Sequence, residues 1–427
     1  MICGWTIAAW SQTGSGTGSN EMAGMGANEH PHDMAGPSFI EQLQEHETSG
    51  TDAQPNSTPS SMLMATKGGW RIMLHGVAFL NELQQSGPRG ADKLFGTNWI
   101  MPMAQRKLGH GTLTLRTMLS FEPATISRRE YPELFQQGET AFGKPIVDGQ
   151  HPHNFLMEIA GMYDYQAGEH TLLSLYAAPV GDPALGPVAY PHRASASENP
   201  VAALGHHLQD STHVSDDMAT VGITYRMVRI EASGFHGREP GEDRWDLGYG
   251  RIDSWSARVT VNPRQNWSMQ YSIGQIHSPE ALFPRESLRR MTASVTYNRP
   301  IGKGNWASMV LWGRNRSLSD GNIGNAYLVE STLNFWRANN LWGRVENVDR
   351  TNELLLGDGV LPNNFTEQYF ARVQAYTVGY DRDLGKIPHV STAIGGQVSV
   401  YGVPAVLMSS YGAHPFGVLL FVRVRLF

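Results

Sequence analysis

The chain is poor in the features that mark most protein classes. Its 427 residues include a single cysteine, Cys3, so no internal disulfide can form. No apolar run approaches the roughly 18 residues that a spanning helix needs, which excludes a helical membrane protein. Charged residues make up only 17% of the chain and nearly cancel, leaving a net charge of -6. That balance favours neither nucleic acid nor an acidic surface as a partner. Glycine-flanked serine elbows, paired catalytic carboxylates and phosphate loops are not recognisable, which argues against an enzyme. Residues 1–12, with Trp5, Ile7 and Trp10, have part of the character of a secretory signal but lack its basic start, as expected of a misplaced start codon.

What is present is alternation. From about residue 68 to Phe427 the chain reads as roughly sixteen period-two segments, joined in turn by a tight polar turn and a long irregular loop. The tight joints fall at residues 106–109, 166–169, 226–229, 262–266, 299–304, 338–340 and 383–386. The long ones fall near 84–94, 124–153, 181–216, 237–250, 278–288, 315–323, 350–366 and 402–414. A soluble sandwich has no reason to sort its loops by length, whereas an outer-membrane barrel does. A spanning strand needs only about 9 to 11 residues with every second one apolar, so overall hydropathy looks soluble.

The expected fold is therefore all-β: a transmembrane antiparallel up-and-down barrel of about 16 strands over residues 68–427, in contact with outer-membrane lipid and inserted by the barrel assembly machinery. Residues 1–67 read as a periplasmic segment, mostly disordered, with one short helix over 38–46 capped by Ser38 that would plug or brace the barrel. With Phe427 ending at the periplasm, both termini and the short turns share that side.

The strands place polar residues inside. Met291, Ala293, Val295 and Tyr297 alternate with Arg290, Thr292, Ser294 and Thr296. In the terminal segment Val418, Leu420, Val422, Val424 and Leu426 take the lipid face, because two lipid-facing arginines would cost several kcal/mol. The same phase lines the lumen with Glu158, Asp164, Glu231, Arg258, Arg290, Glu330, Arg344, Glu346, Arg372, Arg423 and Arg425. Opposed charges of this kind either set a transverse field or pair into a network that narrows the channel. Tyr163, Tyr165, Trp267, Tyr297, Trp306, Trp336, Trp342 and Tyr380, near strand ends, suit the membrane interfaces.

Histidine is the most unevenly placed residue. Of sixteen, nine fall on the long-loop side: His151, His153, His192, His206, His207, His213, His236, His277 and His414. Neutral imidazole binds copper, zinc or nickel, and His151-Pro152-His153 can project two ligands from one extended segment. The alternative is hydrogen bonding between loop backbones. The amino-terminal segment adds Met22, Met25, His30, His32 and Met34, a thioether and imidazole mixture suited to copper(I).

This Met/His tail ahead of a barrel resembles a largely uncharacterised family of outer-membrane barrels associated with copper and heavy-metal resistance. The resemblance also covers Asp148-Gly149-Gln150-His151-Pro152-His153, residues 179–187, His206-His207 with Asp210-Ser211-Thr212-His213, and residues 231–240. It implies a role in metal tolerance, with copper or another transition metal as the bound species. The leading expectation is a non-enzymatic barrel that binds or passes a small solute, copper being favoured. Two alternatives stand beside it: a general porin-like diffusion channel, and a lipid-active enzyme built on Asp210, Ser211 and His213. The oligomeric state is not legible.

Overall fold

A computed structural model describes residues 37–127, 129–357 and 359–426. Sixteen long strands follow one another: β1 Trp70–Gln85, β2 Lys93–Leu108, β3 Gly111–Leu119, β4 Leu156–Gly168, β5 Thr171–Gly181, β6 Ser215–Tyr225, β7 Val228–His236 and β8 Ser254–Arg264, then β9 Trp267–His277, β10 Ser287–Ile301, β11 Gly304–Ser317, β12 Ile323–Phe335, β13 Asn339–Thr351, β14 Tyr369–Ile387, β15 Val390–Gly402 and β16 Phe416–Leu426. Each pairs antiparallel with its sequence neighbours. The barrel closes where β1 meets β16, from Gly76 opposite Leu426 to Gln85 opposite Gly417. A short strand, Leu63–Lys67, pairs with the start of β1 below the point where β16 ends.

Period-two alternation sorts the side chains. On β12, Tyr327 and Val329 are exposed while Leu328, Glu330 and Thr332 are buried. Around the barrel the outward residues form an apolar belt that includes Leu175, Val221, Ile230, Val310, Val345, Val378 and Leu420. Such a surface facing out over a polar interior is that of a membrane-spanning barrel. Trp267, Tyr297 and Trp306 pack as a row at the short-turn end, with ring centroids 4.7 and 5.3 Å apart. Trp342 departs from the expected girdle. It points inward, in phase with Arg344 and Glu346; Gly379 opposite it leaves space for the indole, which packs on Phe421.

The last tight turn lies at residues 388–389 rather than 383–386. A bulge between Asp383 and Gly385 absorbs the turn-like residues and pairing continues to Ile387 opposite Val390.

Three segments enter the lumen. The first is amino-terminal: helix α1, Phe39–Glu45, opens with a capping box in which the Ser38 amide donates to the Glu41 carboxylate at 2.7 Å. His46 ends it with φ 53°, and Thr48, Ser49, Thr51, Asp52, Gln54 and Asn56 then run buried along the wall. The expected disorder of residues 1–67 thus does not extend to residues 37–67. A polar segment cannot build its own core, but here the barrel wall supplies partners for its backbone and side chains. The other two segments are the loops over residues 120–155 and 182–214, most of whose side chains are buried.

Candidate functional site

The barrel wall holds these segments by charge. Arg116 on β3 makes a two-pronged bond to Glu158 on β4 at 2.7 and 2.8 Å. Its remaining donors reach the plug carbonyls of His46, Thr48 and Gly50 at 3.2, 2.6 and 2.5 Å. His46 Nε2 meets Asp164 at 2.7 Å, and Arg258 bridges Glu231, at 2.9 Å, to Asp52 of the plug. Asn262 donates to the Gln54 carbonyl at 2.8 Å.

The loop over 182–214 is held on the opposite wall. Glu330 sits between Arg193 of the loop at 3.0 Å and Arg344 of β13 at 3.2 Å. Arg344 also donates to the carbonyl of Ala202 at 2.9 Å, and Arg290 to that of His207 at 2.7 Å. Glu346 is buried under the same loop. Glu198 takes Arg425 at 2.8 Å and also Arg423, which is shared with Asp381. Both signs of charge on the wall are therefore spent on pairing with each other and with the plug. A guanidinium serving a carboxylate and several carbonyls at once is what offsets the cost of burying the charge.

Arg372 is a correction to the expected lining. It lies outside, in phase with Tyr376, Val378 and Tyr380, and pairs with Asp349 at 2.6 Å. At the long-loop end of β14 it stands beyond the apolar belt, where an outward charge costs little.

Two spaces remain. At the short-turn end a vestibule of about 380 Å³ runs inward past Arg337, Asp383 and Arg425 to His75, Trp99 and His192. At the long-loop end a recess of about 50 Å³ is lined by His207, Arg290, Arg350, Glu239, Glu280 and Glu367.

The long-loop histidines divide into four sets. His151 and His207 gather with Glu139, their ligand atoms all within 4.8 Å of one another. His151 Nε2 stands 2.5 Å from the Glu139 carboxylate, and its Nδ1 bonds the Pro152 carbonyl at 2.8 Å. Gly138, at φ 113°, lets the strand lie against the His207 ring, where an added Cβ would come within 3.0 Å. Burial pushes both imidazoles below their ordinary range, His207 the further. Burial opposes ionisation of Glu139, but the His151 ring and Arg244, 3.0 Å away, hold its carboxyl low. Neutral imidazoles beside an ionised carboxylate are the ligand state a divalent transition metal requires.

His153, His206 and His213 surround Tyr190. His153 and His213 face each other through Nε2 at 3.2 Å, while their Nδ1 atoms bond Glu122 and the Asp210 carbonyl. His192 stands apart, against Trp99 and Met118. His236, His277 and His414 lie at the loop end. Met22, Met25, His30, His32 and Met34 lie outside the described residues.

A hydrolytic arrangement is not what Asp210, Ser211 and His213 make. The Asp210 carboxylate engages His206 at 2.7 Å and Arg193 at 3.1 Å, and Ser211 accepts from Arg290 at 2.8 Å. Each partner that a triad needs is committed elsewhere.

Solved structures share the architecture. The anion-selective porin from Comamonas acidovorans superposes with a TM-score of 0.53 over 83% of this chain and 99% of the porin, at 11% identity. The fold is porin-like. The outer membrane channel DcaP of Acinetobacter baumannii is similar at a TM-score of 0.46 and 9% identity, over 84% of this chain and 98% of that one, and at that score adds nothing to the argument. No family model and no curated protein matches the chain. At such identity the porin-like likeness speaks for the fold alone, so the site is read from this chain's own residues.

Residue-by-residue reading of the sequence missed Glu139, His75, Trp99 and the methionines around Met118. Glu139 and His75 carry no local pattern. Met101 and Met103, two apart on one strand face, were a legible signal.

Proposed function

We propose that the protein is a bacterial outer-membrane barrel that passes a small solute through a lumen held shut by its own amino-terminal plug and inner loop. Both termini lie on the periplasmic side, so the vestibule opens to the periplasm. The observation that carries this reading is Arg116, whose donors join the wall carboxylate Glu158 to three plug carbonyls. Likeness to porins supports a channel, and the packed lumen favours a gated one over an open diffusion pore. In planar bilayers the full chain is expected to give no steady conductance, and a variant lacking residues 37–58 to give an ohmic pore. A steady open pore from the full chain overturns the gated reading.

A second reading concerns the solute. The Glu139, His151 and His207 cluster, next to the long-loop recess, favours a divalent transition metal such as copper(II). Isothermal titration of copper(II) into the folded protein tests it, with Glu139→Gln and His207→Ala each expected to lower affinity about 10-fold or more. Unchanged affinity in both variants removes this site from the reading.

A further inference from the structure

Around β1 to β4 the inward side of the wall is unusually dense in sulfur. Met62, Met73, Met101, Met103, Met118 and Met157 make six of the eight buried members of one cluster, with Val180 and Val214. The larger cluster beneath the loops has thirteen buried members, built of Leu, Val, Ala, Phe and Tyr, and contains no methionine. Methionine is a serviceable gap filler, and a core filled for packing alone draws on it sparingly. Met162, Met218 and Met309 are buried elsewhere in the wall, so what sets this cluster apart is the density of thioether and the imidazoles beside it.

Two imidazoles stand at the edge of this sulfur cluster. His192 Nε2 is 3.2 Å from Met118 Sδ, with both side chains buried. Thioether is a weak acceptor, so this contact does little to satisfy a buried ring nitrogen. His75 is buried as well, and among the described residues its Nε2 has no hydrogen-bond partner. The His75 and His192 rings are 5.8 Å apart, and Trp99 packs against both at 5.0 and 4.4 Å. His75, Trp99, His192 and Met62 line the vestibule of about 380 Å³, which gives a small ion access to the two imidazoles, and Met118, outside that lining, is in contact with His192.

We propose that His75, His192 and Met118 form a binding site for a soft monovalent ion of the copper(I) or silver(I) class at the inner end of the vestibule. Neutral nitrogen and thioether donors select such ions over magnesium, calcium or manganese, which require oxygen. The donors bring no negative charge, which favours a single positive charge on the ion over two. The aromatic face of Trp99 adds an attraction for a desolvated cation. This site deepens the metal reading above and rests on it for the class of solute. It differs in location and in donor softness from the Glu139 cluster.

The test is anaerobic copper(I) binding to the full chain in detergent, in competition with a chromophoric copper(I) chelator, with silver(I) as a redox-inert check. Met118→Leu preserves packing volume and His192→Gln preserves a polar ring-sized group; heat-modifiable gel mobility verifies that each barrel is folded. One equivalent is expected to bind with sulfur and nitrogen ligation in X-ray absorption, and to persist after deletion of residues 1–36. Met118→Leu and His192→Gln are expected to lower affinity about 10-fold or more, while Glu139→Gln leaves it unchanged. Equal copper(I) affinity in wild type, Met118→Leu and His192→Gln overturns this site and leaves the metal reading standing on the tail or the loops. Absence of both copper(I) and copper(II) binding overturns the two together.

Discussion

Replacing Arg116 with methionine should release the plug without dissolving the barrel. The guanidinium makes two bonds to Glu158 and three to the carbonyls of His46, Thr48 and Gly50. Hydrogen bonds to a charged group contribute about 1.5 to 3 kcal/mol each, so the three plug bonds total about 4.5 to 9 kcal/mol if additive. They share one guanidinium and are coupled, so the sum overstates the effect. Breaking a buried pair by removing one partner costs about 3 to 5 kcal/mol, which is the better guide. At 1.4 kcal/mol per tenfold, plug opening becomes more favourable by roughly two to three and a half decades. Native-state hydrogen exchange reads this directly, because amides in residues 46–58 should exchange faster by that factor while the strands keep their protection. In bilayers the variant should flicker open. Adding Glu158→Gln removes the stranded carboxylate and should recover part of the loss, since the plug carbonyls still lack their donor. Wild-type protection of residues 46–58 together with a closed pore in Arg116→Met would refute the reasoning.

Three further outcomes follow from the wall and the rim. Glu280, Glu353 and Glu367 crowd within 4.8 Å at the long-loop end, where burial first and then neighbouring carboxylates push their carboxyls up, Glu367 to about 7. A carboxyl raised on folding binds its proton more tightly in the native state, so its contribution to stability is full below its unfolded value near 4.5 and lost as pH rises through about 7. Protease resistance of residues 352–368 should therefore be greater at about pH 5 than at about pH 8, and Glu367→Gln should flatten the difference; resistance that grows with pH contradicts the assignment. Val329→Arg, in the middle of β12 on the lipid face, should destabilise the barrel by about 2 to 4 kcal/mol in urea titrations in lipid vesicles. Arg372→Ala should change the same titration by less than about 1 kcal/mol, because the Asp349 pair is outward and solvated. A large loss there would place Arg372 in the packed wall after all.

Much of the fold was legible because a membrane barrel writes its constraints locally. Lipid on one side and polar partners on the other force a period of two. That period alone separates Arg290 and Arg423 from Met291 and Val422. The capping box at Ser38 and Glu41 was likewise legible, being complete within four residues. Local rules failed where the reading frame was weak. Arg372 lies near a strand end, in phase with the outward Tyr376 and Val378, and Trp342 faces inward with Arg344 and Glu346 although its residue type suggests the membrane interface.

By itself, then, the sequence determined the class of fold, the number of strands to a close figure, the sorting of the loops by length and most of the inward charges, because each depends on residues two to four apart. Whether those charges would leave a channel or close it was decided only by tertiary structure. Arg116, Arg258 and Arg344 find their partners in segments that local spacing cannot bring together, 66 residues away for the Gly50 carbonyl and 206 for Asp52. The sites were decided the same way. Glu139 joins His207, and Met118 joins His192, only because a loop folds back into the barrel, and no periodicity along the chain records which side chains such a fold will bring into contact.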